Sequence, residues 1–164
     1  MTMKRKTYVW FLLPLAVFPL LITRIHGQNG FSSYAVVVTK RVVLKSQTGA
    51  ILPTTLFTSE HKGLFRVSAY AETTQVGTQG LVCGRLTWTD DAGEQSAPAW
   101  NGLPGGVLDC LNVNSTVSAT GQTLILTTGH QPVTFGAQVN TTFEGSPEYE
   151  VVIIVEEMQP QSTE

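Results

Sequence analysis

The stretch LFRVSAYAET, residues 64–73, decides the fold class of the chain, because apolar and polar side chains alternate along it. Successive side chains of an extended strand point to opposite faces, so one face of this segment is apolar and the other is mostly polar. The two faces are Phe65, Val67, Ala69 and Ala71 on one side, and Arg66, Ser68, Tyr70 and Glu72 on the other. The pattern predicts a strand that covers a core on one side only.

Short runs rich in β-branched and aromatic residues recur on both sides of this strand, separated by Gly, Pro, Asn and Asp clusters. Turn signals come about 8 to 15 residues apart, and helical periodicity is almost absent after residue 30. The predicted strands cover residues 34–45 (one strand, or two that meet at Thr39 and Lys40), 55–58, 64–73, 81–89, 107–113, 124–128, 133–139 and 149–156. This rhythm predicts an all-β chain, a single antiparallel β-sandwich of about eight strands, of jelly-roll or immunoglobulin-like type.

The last predicted strand, residues 149–156, differs from the others because it is apolar on both faces. A strand that covers one core alternates with polar residues, whereas the run VVIIV leaves Val152 and Ile154 on the face away from that core. Residues 35–38 are also continuously apolar and could pair beside it to make a contiguous patch. The strand is therefore predicted either to lie at a buried central position or to self-associate, with Val152 and Ile154 in contact with a second copy of the chain or another protein. The alternative is that the N-terminal arm of the same chain covers them.

The N-terminus is typical of a signal peptide. Three basic residues, Lys4, Arg5 and Lys6, precede an apolar run over residues 8–22, and the chain then turns polar. The run is shorter than the roughly 20 residues that a membrane-spanning helix needs, and two prolines interrupt it. We expect residues 1–27 to form a signal helix that is removed, with an uncleaved anchor as the alternative. The chain would then be secreted, periplasmic or on the cell surface, with no membrane contact after cleavage.

This processing would leave a sandwich domain over residues 28–158 and a polar, disordered tail over residues 159–164. It would also change the charge, because four of the ten bases lie in the leader and none of the twelve acids does, so that 6 − 12 gives a formal charge of −6. The remaining bases are scattered. A nucleic-acid partner needs a clustered basic footprint, so none is expected, and an anionic membrane surface is disfavoured on the same ground.

The two cysteines, Cys83 and Cys110, both lie in the exported part, where an oxidising compartment lets a disulfide persist. A bridge would close a loop of about 26 residues and add roughly 3 kcal/mol of stability in the chain-entropy model. We predict that bridge. The alternative is two buried free thiols, and two isolated thiols lack the paired spacing of a zinc site.

The sequence TDDAG, residues 89–93, places turn-forming residues between two strand patterns and predicts a hairpin. Asp90, Asp91 and Glu94 form the densest acidic cluster in the chain, and their carboxylates are a weak candidate for Ca²⁺. Calcium takes six to eight oxygens, and the usual DxDxDG spacing is missing. We therefore favour a hairpin turn without metal, and we expect no cofactor.

Three aromatic side chains are candidate platforms for a sugar ring. Trp88 shares its predicted face with apolar neighbours and is assigned to the core. Trp100 follows Pro98 at the edge of a Gly-rich loop and is the better candidate for an exposed platform, so with Tyr70 it makes a carbohydrate-binding module the alternative function.

Catalytic candidates are few, because an enzyme needs titratable groups that come together. After processing, the histidines are His61 in the turn SEHKG and His130 in the turn TGHQP, and both are most simply solvated loop residues. No GxSxG elbow or comparable signature supports a nucleophile. We assign no catalytic residue, and a small secreted hydrolase is the third alternative.

Two further motifs, Asn114 in NST and Asn140 in NTT, match the N-glycosylation acceptor pattern. The pattern matters only if the host has the glycosylation machinery, and the sequence does not show which host that is.

Four stretches taken together resemble an uncharacterised β-sandwich protein type of bacteria and their phages. They are GLFRVSAYAETT at 63–74, LTWTDDAG at 86–93, PVTFGAQV at 132–139 and EYEVVIIVEEM at 148–158. The resemblance covers about residues 54 to 158 and implies a sandwich fold, but its motifs are structural and no activity is established for the type. The cysteine pair and the export signal depart from it, which weakens the case for a role in a virion.

These observations favour a non-enzymatic secreted structural or interaction module, such as a surface, appendage or virion-like component. The expected partners are further copies of the chain or another protein, with a glycan as the alternative.

Overall fold

A computed structural model describes residues 34–101 and 109–160 of the 164-residue chain. The predicted signal peptide and its cleavage site lie outside the described residues. So do most of the loop predicted at 101–106 and residues 161–164 of the predicted tail.

The described chain is built from strands, which confirms the all-β prediction. The strands are β1 (Tyr34–Gln47), β2 (Ile51–Thr58), β3 (Gly63–Gln75), β4 (Gln79–Asp90), β5 (Gly93–Pro98), β6 (Cys110–Asn112), β7 (Ser118–Thr127), β8 (Pro132–Glu144) and β9 (Glu148–Pro160). Within this described part, no helix has the length and apolarity that a membrane crossing requires.

The strands form two antiparallel sheets. The four-stranded sheet has the order β1-β9-β3-β7, and the five-stranded sheet has the order β2-β8-β4-β5, with β6 also paired to β4. β5 and β6 pair with successive parts of β4 and so act as one interrupted edge strand. Because β1 to β4 alternate between the sheets and β9 returns beside β1, the topology is a jelly roll, not the immunoglobulin arrangement.

The core lies between the inner faces of the two sheets, and the alternation predicted for residues 64–73 is confirmed. In β3, the side chains of one face are buried and those of the other are half-exposed. Phe65 packs on Phe57 across the sandwich with ring centroids 4.7 Å apart. The largest fully buried side chains are Trp100, Tyr149, Phe135, Leu56, Leu86, Leu111, Ile125 and Ile153.

β1 is one continuous strand, which decides between the two possibilities for residues 34–45. Its register against β9 shifts at Thr39, since Val38 pairs with Glu156 but Lys40 pairs with Val155. The Thr39 hydroxyl donates a hydrogen bond to the Val155 carbonyl at 3.1 Å, which holds the extra residue in place. The bulge therefore lets β1 stay paired with β9 as far as Leu44, and a second register shift follows before Gln47 pairs with Tyr149.

Two boundaries differ from the predicted ones. The tail was predicted to begin at Gln159, but β9 continues to Pro160 because β1 extends far enough to pair with it. The strand predicted over 107–113 is three residues long in the described part, Cys110–Asn112, because the chain turns at Val113.

The predicted disulfide is confirmed. Cys83 on β4 pairs directly with Cys110 on β6, and their Cα atoms are 4.1 Å apart. The bond fixes the short β6 to β4 where the connection from β5 returns to the sheet.

Candidate interaction surface

The outer face of the four-stranded sheet carries the most distinctive surface of the described chain. Directly paired residues of neighbouring strands point to the same face, so the register aligns outward side chains into rows across the sheet. One row consists of Val36, Met158, Leu64 and Leu126, from β1, β9, β3 and β7 in that order. All four side chains are apolar. We call this row the outer apolar row.

The next row contains an ion pair between two exposed apolar side chains. Its members are Val38, Glu156, Arg66 and Leu124. Arg66 Nε donates to Glu156 Oε2 at 2.6 Å. This hydrogen bond and the attraction between the charges raise the pKa of Arg66 and lower that of Glu156. The pair leaves this part of the face electrically neutral.

Val152 and Ile154 lie further along the same face, and both are half-buried. Tyr70 and Val43 flank Val152, while Ser68 and Arg41 flank Ile154. The two side chains line a shallow groove of about 510 Å³. The predicted central position of their strand is confirmed, since β9 lies between β1 and β3. Their contact with a partner stays a prediction.

The exposed apolar side chains concentrate on this face, but not where the sequence pattern placed them. Eight large apolar residues are exposed in the described part of the chain. The five on the outer face are Val36 (42% exposed), Val38 (61%), Val43 (38%), Leu124 (58%) and Leu126 (42%). Four of these belong to the outer apolar row or the row beside it, so the patch is centred away from Val152 and Ile154.

The opposite end of the face is acidic. Glu72 and Glu150 are cross-strand partners on β3 and β9. The Tyr70 hydroxyl donates a hydrogen bond to the Glu72 carboxylate, and this bond raises the pKa of Tyr70. The outer face thus runs from an apolar end to an acidic end.

Trp100 is not the exposed platform for which the sequence made it a candidate, because its side chain is fully buried. The Ala99 amide donates to the Gly84 carbonyl at 2.9 Å, and the Asn101 amide donates to the Thr120 carbonyl at 3.0 Å. The segment therefore bridges the two sheets and carries the indole into the core, where it packs against Phe135. A buried indole offers no face to a sugar ring.

The other two aromatic residues differ in position. Trp88 is half-buried and packs against the core, in agreement with its assignment from the sequence. Tyr70 is half-buried and lines the groove beside Val152. Glycan binding through Tyr70 alone stays a prediction.

The acidic hairpin forms, but the structure does not assemble it into a calcium site. β4 and β5 pair up to Asp90 and Gly93, so the turn is the predicted hairpin. The Asp90 carboxylate accepts from the Ala92 amide at 2.8 Å, whereas the Asp91 carboxylate pairs with Lys62. No group of three metal-ligating side chains occurs within the described ranges. Asp90 thus serves the turn and Asp91 pairs with a lysine, and the weak calcium candidate Asp90, Asp91 and Glu94 gains no support from these contacts.

The two histidines lie in neighbouring turns, and no serine hydroxyl of the described chain hydrogen-bonds to either ring. His61 Nε2 lies 3.0 Å from Glu157 Oε1. The Ser59 hydroxyl donates to the backbone carbonyl of His61, not to its ring. His130 is exposed in its turn, and its amide donates to the Ser59 carbonyl at 2.6 Å. These contacts do not test the hydrolase alternative.

Both glycosylation motifs lie on the surface. Asn114 is exposed in the turn after β6, and Asn140 is exposed on β8. Both side chains are accessible to a modifying enzyme.

Comparison with known proteins gives no family. No protein-family model matches the chain, and no curated protein matches it. Among solved structures, it is similar to Desmodium yellow mottle tymovirus (11% identity, 97% of this chain and 100% of that chain, TM-score 0.35). It is also similar to Eiger TNF from S. frugiperda (8% identity, 80% of this chain and 92% of that chain, TM-score 0.35). A third similar structure is that of infectious bursal disease virus, Gx strain (9% identity, 80% of this chain and 34% of that chain, TM-score 0.37).

Proposed function

We propose that the domain is a non-enzymatic structural or interaction module that associates with other copies of itself through the outer face of its four-stranded sheet. The observation that carries the proposal is the outer apolar row, in which Val36 and Leu126 are exposed and Met158 and Leu64 are half-buried within the described chain. Removing apolar surface from water stabilises an association by about 25 cal/mol per Å². Exposed contiguous patches of this kind mark interaction sites.

The size of the face supports this role. β3 and β7 pair over ten residues, from Gly63 to Glu72 of β3. Four strands about 4.8 Å apart, each with ten residues at about 3.3 Å, give a face on the order of 600 Å². A specific interface buries about 800 Å² per partner. The face alone therefore supplies most of a standard interface.

The charges on the face are also compatible with burial. Arg66 and Glu156 neutralise each other within the sheet, so covering them does not bury an isolated charge. Arg41 lies on the edge strand β1, and Glu72 and Glu150 lie at the far end of the face. All three charges can therefore remain in the solvated rim of an interface.

Sedimentation of the full chain, in the form that the host produces, tests the proposal. We expect association at micromolar concentration, and we expect Leu126→Glu to weaken it by roughly tenfold or more. Leu52→Glu is the matched control, because Leu52 is also exposed but lies on β2 in the other sheet. A parent that sediments as a monomer throughout this range, or equal effects of the two variants, would overturn the proposal.

We also propose that the domain works outside the cytoplasm after loss of residues 1–27. The basic start and the short apolar run support export, and a disulfide persists in an oxidising compartment. Intact-mass measurement of the recovered protein should show a chain that begins near Gln28. A membrane-bound chain that still begins at Met1 would contradict it.

A further inference from the structure

β1 is an edge strand with a long unpaired side. It pairs with β9 through one edge of its backbone, and no described strand pairs with the other edge. The strand has 14 residues and contains no proline. An exposed strand edge presents a row of amide and carbonyl groups, which another strand can satisfy.

The other three sheet edges are protected. β2 is eight residues long and contains Pro53. The β5 and β6 edge is interrupted and short, and β5 ends at Pro98. β7 receives the amide of Asn101 at Thr120. Prolines, bulges and covering segments are the usual ways of preventing edge-to-edge pairing. β1 is therefore the edge best suited to accept another strand.

The N-terminal half of β1 is apolar on both faces and exposed on both. Val36 and Val38 belong to the outer face, and Val37 points to the opposite side, beside Glu157. Basic residues begin only at Lys40 and continue at Arg41 and Lys45. The strand thus combines an open backbone edge with an uncharged apolar segment that ends where the charges begin.

We infer that β1 of one molecule pairs antiparallel with β1 of a second copy about a two-fold axis at Val37, joining two four-stranded sheets into one of eight strands. The inference rests on the proposed function in one respect, since both name a second copy of the chain as the partner. It concerns a different surface, the strand edge, and not the sheet face.

The register follows from the side chains. With the axis at Val37, Val36 of each copy lies opposite Val38 of the other, and these valines interact across the strands. With the axis between Lys40 and Arg41, the two basic residues would face each other, and like charges directly opposite each other destabilise a pair. The Val37 register keeps both basic residues away from their counterparts.

The pairing would align the outer apolar row of each copy with the row of the other copy that contains Val38 and the Arg66–Glu156 pair. The edge contact is isologous and closes with two copies, whereas the face remains open for a second contact. Two independent contacts, one at the edge and one on the face, are what a component of a larger assembly needs.

Cysteine cross-linking of the full chain tests the inference. Both native cysteines are engaged in the disulfide, so a thiol introduced by Val37→Cys is the only free one. Directly opposed strand residues have Cα atoms about 4.5 to 5.5 Å apart, which suits a disulfide. We expect mild oxidation to convert most of the Val37→Cys protein to a covalent dimer that reductant reverses.

Lys45→Cys is the matched control, because Lys45 is exposed on the same strand. In the proposed register, the two copies of residue 45 are separated by sixteen strand positions, about 53 Å. We expect little or no covalent dimer from this variant. Val37→Lys in the otherwise native chain should weaken edge pairing, and unchanged thermal unfolding will show that it folds.

The outcomes separate this inference from the proposed function. Association that Leu126→Glu weakens, without cross-linking through Val37→Cys, overturns the edge pairing and leaves the face contact standing. Cross-linking through Val37→Cys, together with association that Leu126→Glu leaves unchanged, overturns the face contact and leaves the edge pairing standing. Equal cross-linking of Val37→Cys and Lys45→Cys, or a monomer whose residues 35–39 are protected from hydrogen exchange by its own chain, also overturns the edge pairing.

Discussion

The indole of Trp100 lies directly over Gly84, so close that a Cβ atom at position 84 would come within 2.5 Å of Cζ3 of the ring. Gly84 lies on β4 between Cys83 and Arg85, where any other residue would point a side chain into the core. The absence of that side chain makes the space that the indole fills. The fit of these two residues holds the segment after β5 across the edge of the sandwich.

Gly84→Ala should therefore destabilise the domain, because the added methyl group overlaps the indole and forces it to shift. Overpacking of a core typically costs about 1 to 3 kcal/mol, and we expect the upper part of that range. Denaturant unfolding followed by tryptophan fluorescence measures the free energy of unfolding.

Gly49→Ala is the control for this experiment. A Cβ atom at Gly49 would meet nothing within 4 Å, so the same chemical change should alter stability by less than about 0.5 kcal/mol. Equal effects at the two glycines would show that Trp100 does not pack against Gly84 as described.

Removal of the disulfide by Cys83→Ala with Cys110→Ala should lower the free energy of unfolding by about 3 kcal/mol in the chain-entropy model. The physical reason is that the bond constrains the unfolded chain between two residues 27 positions apart. Denaturant unfolding of the parent with and without reductant should reproduce the same difference. A reduced parent, with both thiols labelled, that is as stable as the oxidised form would refute this account.

Tyr149 should make the domain sensitive to alkali. Its side chain is fully buried, its hydroxyl donates to the Gly49 carbonyl at 2.6 Å, and burial raises its pKa. The folded state thus holds the phenolic proton more tightly than the unfolded state, whose tyrosine pKa is about 10. The stabilisation is present below that pH and is lost as the pH rises above it.

Tyr149→Phe should cost about 1 kcal/mol at neutral pH through the lost hydrogen bond. It should also make the decline of stability above about pH 10 shallower than in the parent. Unfolding free energies of both proteins at several pH values between neutral and strongly alkaline conditions measure the two slopes. Parallel slopes would mean that Tyr149 titrates alike in both states.

Features that depend on neighbouring residues could be predicted from the sequence, whereas features that depend on register could not. The alternation along residues 64–73 reports burial directly, because each side chain's face follows from its position in the strand. The outer apolar row joins residues from four strands, and its alignment depends on the bulge at Thr39. No local pattern specifies that shift.

The misplacement of Trp100 has a related cause. Pro98 and the glycines after Trp100 indicate a loop, and loops lie on the surface. The indole is buried because two backbone hydrogen bonds, from Ala99 and Asn101, connect the segment to both sheets. Gly84, sixteen positions earlier on β4, was the available signal, since a glycine within a strand often marks the close approach of another group.

The ion pair on the outer face should make part of the stability depend on pH in the acid range. Arg66 holds the pKa of Glu156 below its ordinary value of about 4.3, mainly through their hydrogen bond. A carboxyl whose pKa is lowered on folding stabilises the domain above its unfolded pKa, and this contribution is lost as the pH falls through its folded pKa. Glu156→Gln should therefore cost stability at neutral pH, and the gap to the parent should close in acid. Glu60→Gln, an exposed control, should follow the parent throughout. A gap of constant size for Glu156→Gln would show that the charge of Glu156 contributes nothing.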